Sequence, residues 1–322
     1  MRSQAFAGIL VEELVDSDPS KGDAREFHRR NGIDPTNLKH ADEIWRVFVR
    51  YNLETGGMKS RVVTENWNKL PDASMLKNRM RLLGRIVRLK HSRCYANFTL
   101  NCPVTYSKVG GFNLSRCTAP GMEEGCPFVE ITKEIQWHRQ HYKIAKIIVE
   151  CAKRLLIEDM DGQHDGNLND VVAATFDKYR GTELSWRAKA TEEYMSRFED
   201  IKGYGNPPKV ILWMLSDLSS PVHQLEHWPD VDLSQLTPVD THVGRLVVRF
   251  GFLPRDQVSN RNIRATLRQL YPKEPRKLDF ALYRLGAESE ENICRTEPHC
   301  KSCRERIPRV YTACHSQDKK DV

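Results

Sequence analysis

The sequence lacks any apolar run of the roughly 20 residues that a membrane-spanning helix needs. Its first part, residues 1–23, has a short apolar patch that soon turns acidic. That part also lacks the apolar core and the small-residue cleavage site of a secretory leader. We therefore expect a cytoplasmic protein without a membrane partner.

A large excess of one charge is also missing, because 50 Lys and Arg residues stand against 43 Asp and Glu residues, for a net charge of +7. This modest excess is compatible with a surface that faces phosphate, but it does not require one. Hydrophobic residues make up 39% and charged residues 29%, an ordinary globular balance. The 322 residues suffice for two modest domains or one elaborated domain.

Apolar residues recur at helical spacing along most of the chain, which predicts a mostly α-helical fold. The stretch 94–129 is different, since it is rich in Gly, Pro, Asn and Thr and predicts a loop-rich insert. The predicted segments are an N-terminal helical, basic region (1–93), this insert (94–129), a helical core (130–290) and a Cys-rich loop and tail (291–322).

Basic residues are dense in residues 75–93, which predict one amphipathic helix with a cationic face. Arg81 and Arg85 lie on that face and are candidates to contact a nucleic-acid backbone. A plain solvated face is the alternative.

The stretch 236–253, LTPVDTHVGRLVVRFGFL, predicts a loop that turns directly into a helix. Its apolar residues from Val243 to Phe250 follow the 3.6-residue period of one buried face. Asp240 precedes them, at the position of an N-cap, and Gly251 follows them as a C-terminal stop. By itself this pattern describes a capped core helix.

Cysteines are concentrated in two places, and in a cytosolic chain clustered thiols are more often metal ligands than disulfides. The tail has the spacing C-x5-C-x2-C-x10-C, and its central CxxC favours an iron–sulfur cluster, with a zinc site or free thiols as alternatives. The insert has four cysteines without a CxxC, so a second metal site and scattered thiols both stay open. The two sets are Cys294, Cys300, Cys303 and Cys314 in the tail, and Cys94, Cys102, Cys117 and Cys126 in the insert.

The string VDTHVGRL, followed by the Cys-rich tail, resembles the helix-hairpin-helix DNA glycosylases of the endonuclease III superfamily. A poorly characterised bacterial branch near that superfamily also pairs a helix like Asp240–Arg245 with one like Asp279–Gly286. The resemblance implies a two-lobed helical fold, Asp240 as the catalytic carboxylate and a [4Fe-4S] cluster on the four tail cysteines. It further implies double-stranded DNA with a flipped base as the substrate. We expect the protein to act as a monomer.

The chain departs from this family before Asp240, because residues 219–238 contain neither the glycines of the family's DNA-binding hairpin nor its lysine. Without that lysine, no Schiff base forms on the sugar, and the resemblance implies a monofunctional glycosylase that leaves an abasic site. The base would be damaged or modified, including a hypermodified phage base, so DNA repair and phage defence are both expected settings. Candidates to contact the base or the strand are His223, His227, Trp228, His242, Arg245 and Trp213.

Two other classes of function remain open from the sequence. One is a nucleic-acid-binding protein without catalysis, in which an iron–sulfur or zinc site has a structural role. The other is a protein-interaction or redox-sensing protein that uses its metal sites.

Overall fold

The computed structural model describes residues 2–17, 24–55, 58, 60–107, 109–117, 119, 125–158, 166–204, 209–219, 225, 227–287 and 290–318. These residues are mostly helical, which confirms the predicted fold class at that level. Within them, no helix has both the length and the apolar character needed to span a bilayer.

The described residues form a series of helices, and a two-stranded antiparallel hairpin lies in the insert. In chain order they are α1 (Arg2–Val11), α2 (Ala24–Arg30), α3 (Ala41–Asn52), α4 (Ser60–Lys69), α5 (Arg79–Val87), α6 (Arg93–Ala96), α7 (Phe98–Asn101), β1 (Tyr106–Ser107), β2 (Gly111–Phe112), α8 (Pro127–Glu134), α9 (His141–Lys153), α10 (Leu168–Asp177), α11 (Trp186–Ser196), α12 (Lys209–Ser219), α13 (Thr241–Arg249), α14 (Asn260–Leu270), α15 (Pro275–Gly286), α16 (Cys300–Arg306) and α17 (Pro308–Asp318).

The chain forms two compact units. The terminal unit combines Met1–Ala24 with Leu215–Val322, and the middle unit is Arg25–Met214. The four predicted segments followed changes of composition along the sequence, whereas the units follow packing. As a result, the first 24 residues belong with the C-terminal part of the chain rather than with the basic region that follows them.

Helix α1 shows why the terminal unit contains both ends of the chain. Phe6, Leu10 and other apolar residues of α1 are buried in one core with α13, α14, α15 and α17. The Phe6 ring meets the Phe250 ring edge-on, with centroids 5.1 Å apart. Each fully buried apolar side chain contributes roughly 1.5–3 kcal/mol. The burial of these side chains therefore stabilises the packing of α1 against the C-terminal helices.

In the middle unit, the helical stretch that begins at Pro127 is interrupted between α8 and α9. The imidazole of His138 lies at this break, where its Nε2 donates to the Leu53 carbonyl at 3.0 Å and its Nδ1 accepts from the Gln140 amide at 3.0 Å. These bonds to the backbone replace helical ones. Similarly, the basic helix expected over 75–93 is shorter, since α5 begins after the Asn78 cap and ends at Val87.

A buried histidine makes the middle unit sensitive to acid. His28 of α2 is fully buried beside the rings of Phe27 and Tyr51, and neither of its ring nitrogens has a hydrogen-bond partner among the described residues. Burial, followed by the positive charge of Arg50, lowers its pKa from 6.5 to about 3. The folded protein therefore keeps this imidazole neutral at pH values where the unfolded chain protonates it.

We predict that the middle unit loses stability as the pH falls below about 6.5. The unfolded state binds the extra proton between pH 6.5 and 3, so the His28 contribution is complete above this window and shrinks through it. The loss is about 2 kcal/mol by pH 5. Urea unfolding between pH 5 and 7 measures it. His28→Leu should flatten the dependence and the exposed His91→Leu should keep it; equal slopes in the two variants would contradict the prediction.

Candidate functional site

Helix α13 begins directly after Asp240, and the segment that leads into this residue, called the approach below, is buried. The Asp240 side chain accepts a hydrogen bond from the Val243 amide at 2.8 Å, which confirms the predicted N-cap. The preceding residues 236–239 are buried. Arg264 and Arg268 of α14 each donate to backbone carbonyls of this approach at 3.1 Å. Helix α14 thereby fixes the position of the partly buried Asp240.

The end of α13 is also fixed by its sequence. Gly251 has the left-handed backbone conformation, with φ of +67°, that other residues adopt only with strain. Its amide bonds to the Val248 carbonyl, and the Phe252 amide bonds to the Val247 carbonyl at 2.9 Å. This pair of bonds is the Schellman motif, and it confirms Gly251 as the helix stop.

Helices α13 and α15 approach each other closely at Gly286. A methyl group on Gly286 would lie 3.0 Å from Arg245 Nη2, 3.2 Å from Leu246 Cδ1 and 3.3 Å from His242 Cβ. On the same side of α13, the His242 ring meets the Tyr283 ring of α15 edge-on at 6.0 Å. The absence of a side chain at Gly286 therefore permits this contact, and His242 packs on α15 beside it.

The four tail cysteines line a single cavity of about 320 Å³ in the terminal unit. Cys294 lies in the loop after α15, Cys300 and Cys303 lie three residues apart on one face of α16, and Cys314 lies on α17. The tail was predicted as a loop, but its described residues include the helices α16 and α17. Leu285, Ile293 and Val310 contribute apolar wall to the cavity.

The thiols around this cavity are close enough to oppose each other's ionisation. Burial, and then the charges of Cys294, Cys314 and Cys300, raises the pKa of Cys303 to about 12. Among the described residues, no three or more His, Cys, Asp or Glu side chains are arranged to hold a metal ion. The four thiols line one cavity without forming such an arrangement, and the predicted cluster stays a prediction.

Two arginines of α13 tie that helix to the first tail cysteine. Arg249 donates to Cys294 Sγ at 3.4 Å, and also to the carbonyls of Arg295 and Thr296. Arg245 donates to the Cys294 carbonyl at 3.1 Å and to the carbonyl at the end of α15. Sequence reasoning did not identify Arg249 as a partner of the cysteines, although it follows Arg245 by one helical turn. The predicted DNA contact of Arg245 stays a prediction.

Other predicted contacts with DNA lie elsewhere in the terminal unit. His223 lies outside the described residues. The amides of His227 and Trp228 both donate to the Leu218 carbonyl, at 2.7 and 3.2 Å, and their rings lie 5.6 Å apart. Trp228 is 6% exposed, so its indole belongs to the protein interior here. Their contact with a base stays a prediction.

Trp213 lies in the middle unit and packs on two aromatic rings. Its centroid is 5.3 Å from that of Tyr51, edge-on, and 6.2 Å from that of Phe27. These contacts describe a side chain that helps to build an aromatic cluster. A role for Trp213 in lining a base pocket stays a prediction.

The cationic face of α5 is partly neutralised inside the middle unit. Glu130 of α8 pairs with Arg81 at 3.1 Å and with Arg85 at 3.6 Å. Arg79 is buried and pairs with Asp42. A phosphate that approached Arg81 and Arg85 would compete with the Glu130 carboxylate, so their contact with DNA stays a prediction.

The four insert cysteines also lie in the middle unit, and all are free thiols. Cys94 and Cys102 are buried, Cys126 is partly buried and Cys117 is exposed.

Residues 211–288 match the model of a family described as Protein of unknown function (DUF2400). This stretch is about a quarter of the chain, and it includes α13, α14 and α15. No curated protein and no solved structure gives a match to the chain.

We predict that Gly286→Val destabilises the terminal unit, because the added side chain would push α13 away from α15. The expected cost is about 1–3 kcal/mol, typical of overpacking. Gly244→Ala is the matched control on α13, since a methyl group there meets only Ile263 Cδ1 at an ordinary 3.5 Å. That control should stabilise the helix by up to about 1 kcal/mol. Denaturant unfolding that gave both variants the same shift would contradict the close approach.

Proposed function

We propose that the protein is a monofunctional DNA glycosylase with a two-lobed helical fold, which acts in the cytoplasm and removes a modified or damaged base. The observation that carries the proposal is the construction of α13. This helix starts at the partly buried carboxylate of Asp240, and its arginines contact the loop of Cys294. The family resemblance pairs the same two features, a carboxylate at a helix start and a four-cysteine site after it.

In this proposal Asp240 acts on the sugar of an extruded nucleotide. The bond between C1′ and the base breaks, and the base leaves with the bonding electrons and takes up a proton. The positive charge that develops on the sugar is stabilised by the nearby carboxylate. Water then bonds to C1′ and gives its proton to the carboxylate. The products are a free base and an abasic site, since residues 219–238 offer no lysine for a Schiff base.

Positioning of the carboxylate comes from the N-cap bond and from α14. One hydrogen bond to the Val243 amide orients Asp240, while Arg264 and Arg268 hold its approach. The carboxylate lies at the positive end of the helix dipole. In the proposed reaction, Asp240 can therefore stabilise the positive charge on the sugar without a rearrangement of its backbone.

The tail cysteines would hold a [4Fe-4S] cluster in the cavity that they line. A bound cluster would cross-link the loop of Cys294 with α16 and α17, and it supplies a redox-active centre. Arg249 contributes a donor to Cys294 Sγ and a positive charge beside a thiolate set that is negative overall. Zinc on the same four thiolates is the alternative metal.

We predict that Asp240→Asn abolishes base release and leaves the fold intact, because Asn caps a helix as well as Asp but carries no charge. The expected loss is at least about 100-fold. Abasic sites are counted by alkaline cleavage of labelled duplexes that contain damaged or hypermodified bases. The matched control is Asp232→Asn, another capping carboxylate on the same approach, which accepts from the Ser234 amide at 2.9 Å.

Release that persists at the wild-type rate in Asp240→Asn would overturn the catalytic assignment. Absence of abasic product across the whole panel, together with DNA binding that weakens steeply with salt, would replace the proposal by a binding protein without catalysis.

We predict that anaerobically purified protein contains about four iron atoms per chain at the tail site, with a broad absorption band in the visible range. Cys300→Ala should remove this iron, because a ligand is lost. Cys151→Ala removes a buried thiol of α9 and should retain it. Zinc in place of iron at this site would overturn the cluster.

A further inference from the structure

The insert cysteines form a second thiol set, which the proposed glycosylase chemistry does not use. Their sequence contains no CxxC, so spacing alone leaves their role open. In the middle unit, however, packing around the hairpin brings the segments that carry them together.

The hairpin lies between two of the cysteines, since Cys102 precedes β1 and Cys117 follows β2. Tyr106 of β1 pairs with Phe112 of β2, and the Asn113 amide donates to the Thr105 carbonyl at 2.9 Å. The chain therefore leaves Cys102 and returns toward Cys117 along paired backbone.

A cluster of aromatic rings brings in the segment that carries Cys126. Phe128 of α8 packs on Phe98 of α7 at 6.1 Å and on Phe112 of β2 at 6.0 Å. Cys126 precedes Phe128 by two residues, and Cys102 follows Phe98 by one helical turn. The three rings thereby hold the segments of α7, β2 and α8 against one another.

Buried charges of α9 anchor the backbone on either side of the first two cysteines. Lys146 donates to the Cys102 carbonyl at 2.9 Å, and Lys153 donates to the Tyr95 carbonyl at 2.7 Å. Glu150 accepts a bond from the amide at the start of α7. These contacts fix the backbone near the thiols and place two ammonium groups close to them.

Cys117 lies within electrostatic reach of the other three thiols, and Cys102 also lies within reach of Cys94 and Cys126. Burial is the largest cause that raises the pKa of Cys94, Cys102 and Cys126, and the charge of Cys117 adds to the shift in each case. Lys153 acts in the opposite direction on Cys94, and Lys146 on Cys102.

We propose that the four insert cysteines bind one zinc ion as a tetrathiolate site that cross-links the insert. Zinc accepts four thiolates without an open position, and such a site is structural. The set would carry a net negative charge, of which Lys146 would offset a part, whereas Lys153 already pairs with Glu150 at 3.0 Å. The backbone near Cys94 and Cys102 is already anchored, and because the described thiols do not yet form a metal-holding group, binding would draw them closer around the ion.

Metal analysis of the full-length protein tests the site independently of the glycosylase proposal. Wild-type protein, purified anaerobically from medium with zinc and iron, should contain about one zinc ion per chain beside any tail iron. Cys102→Ala and Cys117→Ala should lose that zinc and keep the tail iron. Cys151→Ala, which removes a buried thiol outside the set, should retain zinc.

Cys117 is exposed, so its substitution tests the ligand set without opening the core. In the wild-type protein, a zinc-sensitive dye and a thiol reagent should report about one zinc released as four thiols become reactive. Zinc that is absent from the wild type or unchanged in both variants, iron in its place, or a disulfide among these cysteines would overturn the proposal.

Discussion

The terminal unit depends on the close contact between α13 and α15 at Gly286. Without a side chain at that position, the helices approach until Arg245 Nη2 reaches the carbonyl at the end of α15. Arg249, one turn later, then reaches the loop of Cys294. A bulkier residue at Gly286 would separate the carboxylate of Asp240 from the backbone that carries the thiols, because one rigid helix positions both.

Partly buried cations lie beside the two cysteine sets in a similar way. In the terminal unit, Arg249 faces the sulfur of Cys294, and in the middle unit Lys146 donates to the carbonyl of Cys102. Guanidinium and ammonium groups bonded to carbonyls both order a loop and supply positive charge near thiols. Both sites thus have a positive charge near the thiols, which lowers the free-energy cost of burying thiolates there.

Local patterns were predictable because their causes lie within a few residues. The Asp240 cap, the buried face from Val243 to Phe250 and the Gly251 stop all follow from the helical period and from backbone preference. The break at His138 was not predictable, since it depends on the Leu53 carbonyl far away in the sequence. The ion pair between Arg81 and Glu130 was also not predictable, because the two residues lie far apart in the sequence.

The sequence by itself determined a mostly helical chain, the capped helix α13 and two groups of cysteines, because period, cap residues and clustering are local properties. Tertiary structure alone decided that α1 packs with the C-terminal helices, that Arg249 meets Cys294, and that the tail thiols share one cavity. Those outcomes depend on which apolar faces pack together. The sequence shows that a helix has an apolar face, but it does not show which other helix covers that face.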